Sequence, residues 1–225
     1  MYENLMTLPL FKGISYQRVS EIVGKTKLDF LKYPEGEIFL RAGDPCKSIK
    51  FVISGNVRMS ITNMQERFRV LQTLSAPAVI SPDYLFGRNT LYPGTARAID
   101  TVSIMQIDKA DFITLLQSDE IFLFNYLNIV STNAQKAIDG VIALTSGALE
   151  ERIAFWVMAL TQLGSTDIVL QARQKDLYSL FGVQRTTFTA ALDSLRDRGI
   201  ISYTPNEIRV NSRLELRSVL LKRPD

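Results

Sequence analysis

The stretch 173–209, RQKDLYSLFGVQRTTFTAALDSLRDRGIISYTPNEIR, leaves few folds open to the chain. Over 174–181, Leu177, Leu180 and Phe181 recur at i, i+3, i+4, the spacing of one helix face. Gly182 follows as a left-handed stop that carries no Cβ penalty. A second helix over 185–198 repeats an apolar stripe at Phe188, Ala191, Leu192 and Leu195, and Gly199 closes it. At about 100° per residue, Arg185, Thr186, Thr189, Ala190 and Arg196 fall outside that stripe. Residues 200–203, a turn at Pro205-Asn206, and 208–210 then form a small hairpin. The unit reads as a winged helix-turn-helix.

The free face of the second helix offers a cation, hydroxyls and small side chains. A helix with such a face suits a major groove, where Arg reaches guanine O6 and N7 and a Thr methyl meets thymine. We therefore expect Arg185 to read a base, with Gln184, Thr186, Thr187 and Thr189 alongside and Arg196 on the same face. Arg173, Lys175 and Arg209 are expected to hold phosphates and fix register without reading sequence. The same spacing is met by an αα-hairpin of an ordinary helical domain. A winged module that contacts protein instead of DNA also remains open.

Charge bears on that choice. The 225 residues carry a net charge of only +3. From Ala172 onward, ten Lys/Arg face six Asp/Glu, so +4 sits on this segment and −1 on the rest. With 46% hydrophobic residues the chain can bury a sizeable core, and its length suits one or two domains at roughly 100–200 residues each.

Histidine is absent and Cys46 is the single cysteine. A Ser-His-Asp triad, a His zinc site and His-ligated haem are thereby excluded, and one thiol cannot form an intrachain disulfide or hold an iron–sulfur cluster. No carboxylate pair is spaced for catalysis, so we expect no enzyme, no metal site and no resident cofactor. No run reaches the roughly 18 apolar residues of a membrane span, and no secretory h-region is evident. The expectation is a cytoplasmic protein with no membrane partner.

Before the winged unit the pattern changes twice. Residues 2–26 contain a short helix with Val19, Ile22 and Val23 on one side. From 28 to 108 apolar residues alternate between Pro and Gly breaks, the mark of a sandwich or barrel. Ile49, Phe51, Ile53 and Val57, Met59, Ile61 flank Ser54-Gly55-Asn56, which predicts a hairpin, with later strands at 68–74, 95–99 and 103–107. The segment 80–98 predicts a loop entering a helical turn near Asn89-Thr90. Its effector candidates are Gly87, Arg88, Asn89, Thr90, Thr95, Ala96 and Arg97, with Arg88 and Arg97 facing an anion. A plain barrel corner with two solvated arginines fits the same residues.

From Lys109 the period is helical to 146. Leu123, Leu127, Val130, Ala134, Ala137, Val141 and Leu144 keep an a/d register, the spacing of a long helix that packs along a partner. The partner is either a second copy of the chain or the chain's own barrel. A break at Ser146-Gly147 precedes another amphipathic helix over 149–163 and a short strand at 168–170. The expected fold is α+β: an N-terminal jelly-roll β-barrel sensor over 1–118, a long dimerisation helix over 119–146, and a C-terminal winged helix-turn-helix over 147–225.

Four segments carry a likeness to a known family: LPLFKGIS, GDPCKSIKFVISGNVRM, ERIAFWV and QKDLYSLFGVQRTTFTAALDSLRDRGII. With them the chain resembles the Crp/Fnr family of bacterial transcription regulators over nearly its whole length. The resemblance implies a homodimer joined through the long helix, a two-fold-symmetric operator on double-stranded DNA, and contact with RNA polymerase. Family recognition helices typically begin Val-Ser-Arg-Glu, with a second Arg five residues after the first. Here Val183, Gln184, Arg185, Thr186 and Ala190 stand there, so the operator is expected to differ. Cyclic-AMP binders pair a Gly-Glu with an Arg-Ser or Arg-Thr, where this chain has Gly87-Arg88 and Gly94-Thr95. Their Thr-Ser pair on the long helix falls on Ala137-Ile138. The resemblance therefore implies an effector other than cyclic AMP. Cys46 reads either as a redox- or nitric-oxide-responsive thiol or as an inert loop residue.

Overall fold

The computed structural model describes residues 5–221 except 143 and 146. Of the helix break expected at Ser146-Gly147, Ser146 lies outside the described residues, as do the outer ends of the expected domains, 1–4 and 222–225. The chain divides into two compact units, one running to Met59 and resuming over Leu74–Asn133, the other formed by Ser60–Thr73 and the chain from Ala134 on.

The first unit opens with a 3-10 turn, Pro9–Phe11, and helix α1, Tyr16–Lys25, capped by the Ser15 side chain and burying Val19 and Ile22. Eight strands are then numbered in chain order: β1 Asp29–Tyr33, β2 Ile38–Leu40, β3 Ser48–Ser54, β4 Asn56–Thr62, β5 Phe68–Ser75, β6 Ala78–Ile80, β7 Gly94–Ala98 and β8 Val102–Asp108. One sheet has the order β1-β8-β3-β6, while β4, β7 and β2 lie side by side in another. The strands thus make two open sheets over a common core, where a closed barrel was expected.

That division corrects the reading of Ser54-Gly55-Asn56. β3 and β4 do not pair with each other; the chain crosses there from one sheet to the other. Gly55 has φ +84°, and a Cβ on it would lie 2.5 Å from the Thr101 carbonyl oxygen. The crossing is fixed by Asp100, whose carboxylate accepts from the Asn56 backbone N–H at 2.8 Å and from its side-chain amide at 2.6 Å. Alternating apolar residues around a glycine fit a hairpin and a sheet crossing equally, and only the distant Asp100 separates them.

Helix α2, Lys109–Ser118, and the long helix α3, Glu120–Ile142, are separated by Asp119, whose backbone is extended (φ −154°, ψ 122°). The helical run expected from Lys109 is therefore broken once. In the first unit α3 buries Phe122 and Tyr126, one turn apart. Phe122 meets Phe11 edge-on at 5.1 Å, and Phe112 of α2 meets Tyr126 edge-on at 5.2 Å. The helix thus has an inward stripe of its own beside the heptad positions.

In the second unit follow α4, Leu149–Leu160; β9, Thr166–Ala172; α5, Gln174–Leu180; α6, Arg185–Asp197; β10, Ile201–Thr204; β11, Glu207–Val210; and α7, Arg213–Leu221. Gly140 of α3 lies so close to α4 that a Cβ would fall 2.5 Å from that of Ala159. The core stacks Trp156, Phe181 and Phe188, with successive ring centroids 5.5 and 5.9 Å apart. Strands of this unit pair side by side in the order β10-β11-β9-β5, with Phe68 opposite Ala172 and Val70 opposite Leu170.

Candidate nucleic-acid interface

Two short helices and a wing meet at one end of the second unit. α5 buries Leu177 and is followed by Gly182 at φ +66°, the left-handed turn expected from the sequence. Leu180, read as part of the apolar face, is 47% exposed because the helix ends there. Phe181 takes the inward place. The Arg152 guanidinium donates to the carbonyls of Leu144 and Phe181, tying the chain after α3 to the end of α5.

Gln184 has extended backbone and starts α6. Phe188, Ala191, Leu192 and Leu195 are buried, and the opposite face presents Arg185, Thr186, Thr187 and Ala190 to solvent, with Gln184 exposed and Thr189 half-buried. Burying the four apolar residues, at roughly 1.5–3 kcal/mol for a large aliphatic or aromatic side chain, fixes which face points outward. Arg185 makes no ion pair among the described residues. Its guanidinium is available to an external acceptor.

The other cations of the candidate set are engaged to different degrees. Lys175 is exposed and makes no ion pair among the described residues. Arg173 donates to Asp176 through Nε at 2.9 Å and Nη2 at 3.1 Å, and those bonds hold the Asp176 carboxyl below the usual carboxylate range. Arg209 pairs with Asp167 at 2.7 Å and with Glu207 at 3.4 Å. Arg196 pairs with Asp193 at 2.7 Å and Asp197 at 2.9 Å and lies 5.7 Å from the Tyr203 ring, so it braces α6 against β10. Exposed pairs of this kind contribute little to stability, so a phosphate can exchange for the carboxylate at small cost.

The effector candidates lie in the first unit. The helical turn of their segment is Pro82–Tyr84, ahead of the Asn89-Thr90 position expected, and 85–90 has no helical turn. Proline can start such a turn, which needs no amide donor at its first position. Gly87, Arg88 and Asn89 are exposed and Thr90 is half-buried, its carbonyl accepting from the Cys46 N–H at 2.7 Å. Thr95 accepts from the Ala42 N–H at 3.2 Å. Ala96 is buried opposite Leu40, and Arg97 is exposed on the other face of β7.

Inside this unit lie two polar side chains that the sequence pattern does not single out, Lys50 and Tyr92. Lys50 donates to the Ser48 hydroxyl at 2.6 Å and to Gln106 Oε1 at 2.7 Å, and burial pushes its pKa down. Tyr92 is buried and donates to the Ser48 carbonyl at 3.2 Å. Cys46 is buried with its thiol 3.8 Å from the same carbonyl, and burial pushes the thiol pKa up. The position of Lys50 within the β3 alternation was the available signal. The contribution of β5 to the winged unit left no local signal, since its partner strand lies about a hundred residues on.

On α3, Leu123, Leu127, Ala134, Ala137 and Val141 are exposed in the single chain. Val130 packs partly against the first core and Leu144 partly against the second. Among the described residues there is no cluster of three or more Cys, Asp or Glu side chains able to hold a metal ion, and no helix long and apolar enough to cross a membrane.

Two family models match the chain: the cyclic nucleotide-binding domain over residues 30–119 and the Crp-like helix-turn-helix domain over residues 151–219. A Cyclic AMP receptor protein of Thermus thermophilus is 22% identical over 216 residues, 94% of this chain and 96% of that protein. The crystal structure of the Thermus thermophilus Catabolite Activator Protein is similar with a TM-score of 0.53 at 20% identity, covering 95% of this chain and 98% of that one. A Transcriptional regulator from Thermotoga maritima gives a TM-score of 0.50 at 18% identity, covering 57% of this chain and 98% of that one. The two structural likenesses bear on the fold.

Proposed function

The chain belongs to the Crp/Fnr family of DNA-binding transcription regulators, and from that premise we propose that it acts as a homodimer on a two-fold-symmetric operator. The observation that carries this reading is the division of α6: its apolar stripe is buried while Arg185, Thr186 and Thr187 face outward with the Arg185 guanidinium uncommitted. Placed in a major groove, Arg185 pairs with guanine O6 and N7, and the threonine methyls meet thymine. Lys175, Arg173 and Arg209 hold the flanking phosphates, the last two by exchanging their carboxylates for phosphate oxygens.

The exposed apolar positions Leu123, Leu127, Ala134, Ala137 and Val141 of α3 support pairing with a second copy, which sets two α6 helices against half-sites about 34 Å apart. The first unit senses a small molecule other than cyclic AMP, since Gly87-Arg88, Gly94-Thr95 and Ala137-Ile138 depart from that ligand's contacts. Binding shifts the population between DNA-competent and incompetent dimers. RNA polymerase is the further partner, and the protein acts by binding, without catalysis.

A second reading, in which the winged module contacts protein, is favoured by one observation: Arg173, Arg196 and Arg209 are all paired with acids. A gel shift against the chain's own promoter at rising salt separates the two. A DNA binder loses affinity linearly in log[salt], and no shift at low salt contradicts the DNA reading.

A further inference from the structure

The segment Ser60–Thr73 lies far ahead of the winged module in sequence and yet is built into its unit. Val70 is buried in that core, and Phe68 packs on Trp156 at 5.3 Å. Gln72 Oε1 accepts from the Gln162 N–H at 2.7 Å. The tip of this hairpin is held by Asn63, whose side-chain oxygen accepts from the N–H groups of Arg67 and Phe68 at 2.9 and 3.0 Å. Such a turn is a fixed platform.

The register puts this tip beside the candidate interface. Phe68 stands opposite Ala172, so Arg67, one residue further, reaches the start of α5 where Arg173 and Lys175 lie. The wing turn closes on the same place, since the Gln174 N–H donates to the Pro205 carbonyl and the Ala172 N–H to that of Asn206, both at 3.0 Å. Phe68 and Val70 alternate inward, which turns Arg67 and Arg69 outward. Arg69 is tethered to the Thr62 hydroxyl at 3.2 Å, whereas Arg67 is exposed and makes no ion pair among the described residues. Arg67 is close enough to help hold Asp176 ionised. The acids at this corner are Asp176, already gripped by Arg173, Glu207 after the wing turn, already paired with Arg209, and the exposed Glu66.

We propose that Arg67, carried by the β4–β5 hairpin, is a phosphate-binding residue of the DNA interface, completing with Lys175 and Arg173 a cationic corner at the start of α5. This rests on the DNA reading above. Because Asp176 occupies Arg173 in the free chain, Arg67 and Lys175 are the cations at this corner that meet a phosphate without first breaking an ion pair. Phosphate contacts fix register and carry no sequence information, so Arg67 serves operator and non-operator DNA alike.

The test is fluorescence anisotropy of the full chain and of its Arg67→Ala and Arg67→Lys variants on a random-sequence duplex across a salt series, with thermal unfolding of each protein. Arg67→Ala is expected to bind several-fold more weakly at low salt, with a log K against log[salt] slope shallower by about one for each bound subunit, and to melt like the wild type. Arg67→Lys is expected to restore most of the affinity. An unchanged slope and affinity for Arg67→Ala overturns the proposal while leaving the DNA reading in place. Wild-type protein that fails to bind any duplex overturns both.

Discussion

Arg173 grips Asp176 through two parallel hydrogen bonds at 2.9 and 3.1 Å, one helical turn apart at the point where β9 gives way to α5. A cation expected to hold DNA thus carries its own counter-ion in the free chain. The pair is a local competitor for the phosphate.

Removing that competitor gives the first prediction. Asp176→Asn spares Arg173 the exchange of its carboxylate and raises the affinity for random-sequence DNA, measured by anisotropy at low salt. The pH dependence follows from the sign of the shift. The Asp176 pKa is depressed by Arg173, so the ion pair is present above the ordinary aspartate range and is lost only as pH falls through the lower folded value. Between pH 5 and 8 the effect of Asp176→Asn should therefore be constant. An effect that vanishes toward pH 5 contradicts this account.

The second prediction concerns Val70, which lies far ahead of the winged module in sequence but in its core. Trp156, the single tryptophan, sits in the same core and reports its unfolding. Val70→Ala should destabilise the Trp156-detected transition by about 1–3 kcal/mol, from lost burial plus the cavity left behind. A transition that does not move would show that β5 is dispensable to this unit.

A third prediction separates the two stripes of α3. Leu127→Asp places a charge on the exposed stripe and should shift native mass spectra from dimer to monomer while the melting of the monomer's own cores is retained. Phe122→Ala, which empties a place in the first core, should lower stability by about 3–5 kcal/mol. A monomeric wild type, or a Leu127→Asp dimer, contradicts the pairing of α3.

The fourth prediction is chemical. Burial disfavours the Cys46 thiolate, the species that alkylates and oxidises. Iodoacetamide should modify native protein slowly at neutral pH and unfolded protein rapidly. Fast native modification would return Cys46 to the list of sensing residues.

What could be read in advance divides along the range of the forces involved. Phe188, Ala191, Leu192 and Leu195 repeat every three to four residues, and Gly182 takes the left-handed conformation its place demands, so α5, α6 and the wing are legible from local period and turn chemistry. Gly55 was misread because its partner is Asp100, not the next strand. The apolar periodicity from Lys109 runs on through the single extended residue Asp119, so the period does not show the helix break, although the expected domain boundary at 118/119 falls on it. The ion pair of Arg209 with Asp167 spans 42 residues and leaves no local signal. The pairing of Phe68 with Ala172 is equally non-local, and with it the placement of Arg67.

The most direct measurement of the account is the affinity of Arg185→Ala for the chain's promoter operator and for its single-base variants. Arg185→Ala should lose about 1–3 kcal/mol on the operator, relax discrimination at one position in each half-site, and change little on random DNA. Equal losses on operator and random duplexes would contradict the assignment of α6 as the helix that reads sequence.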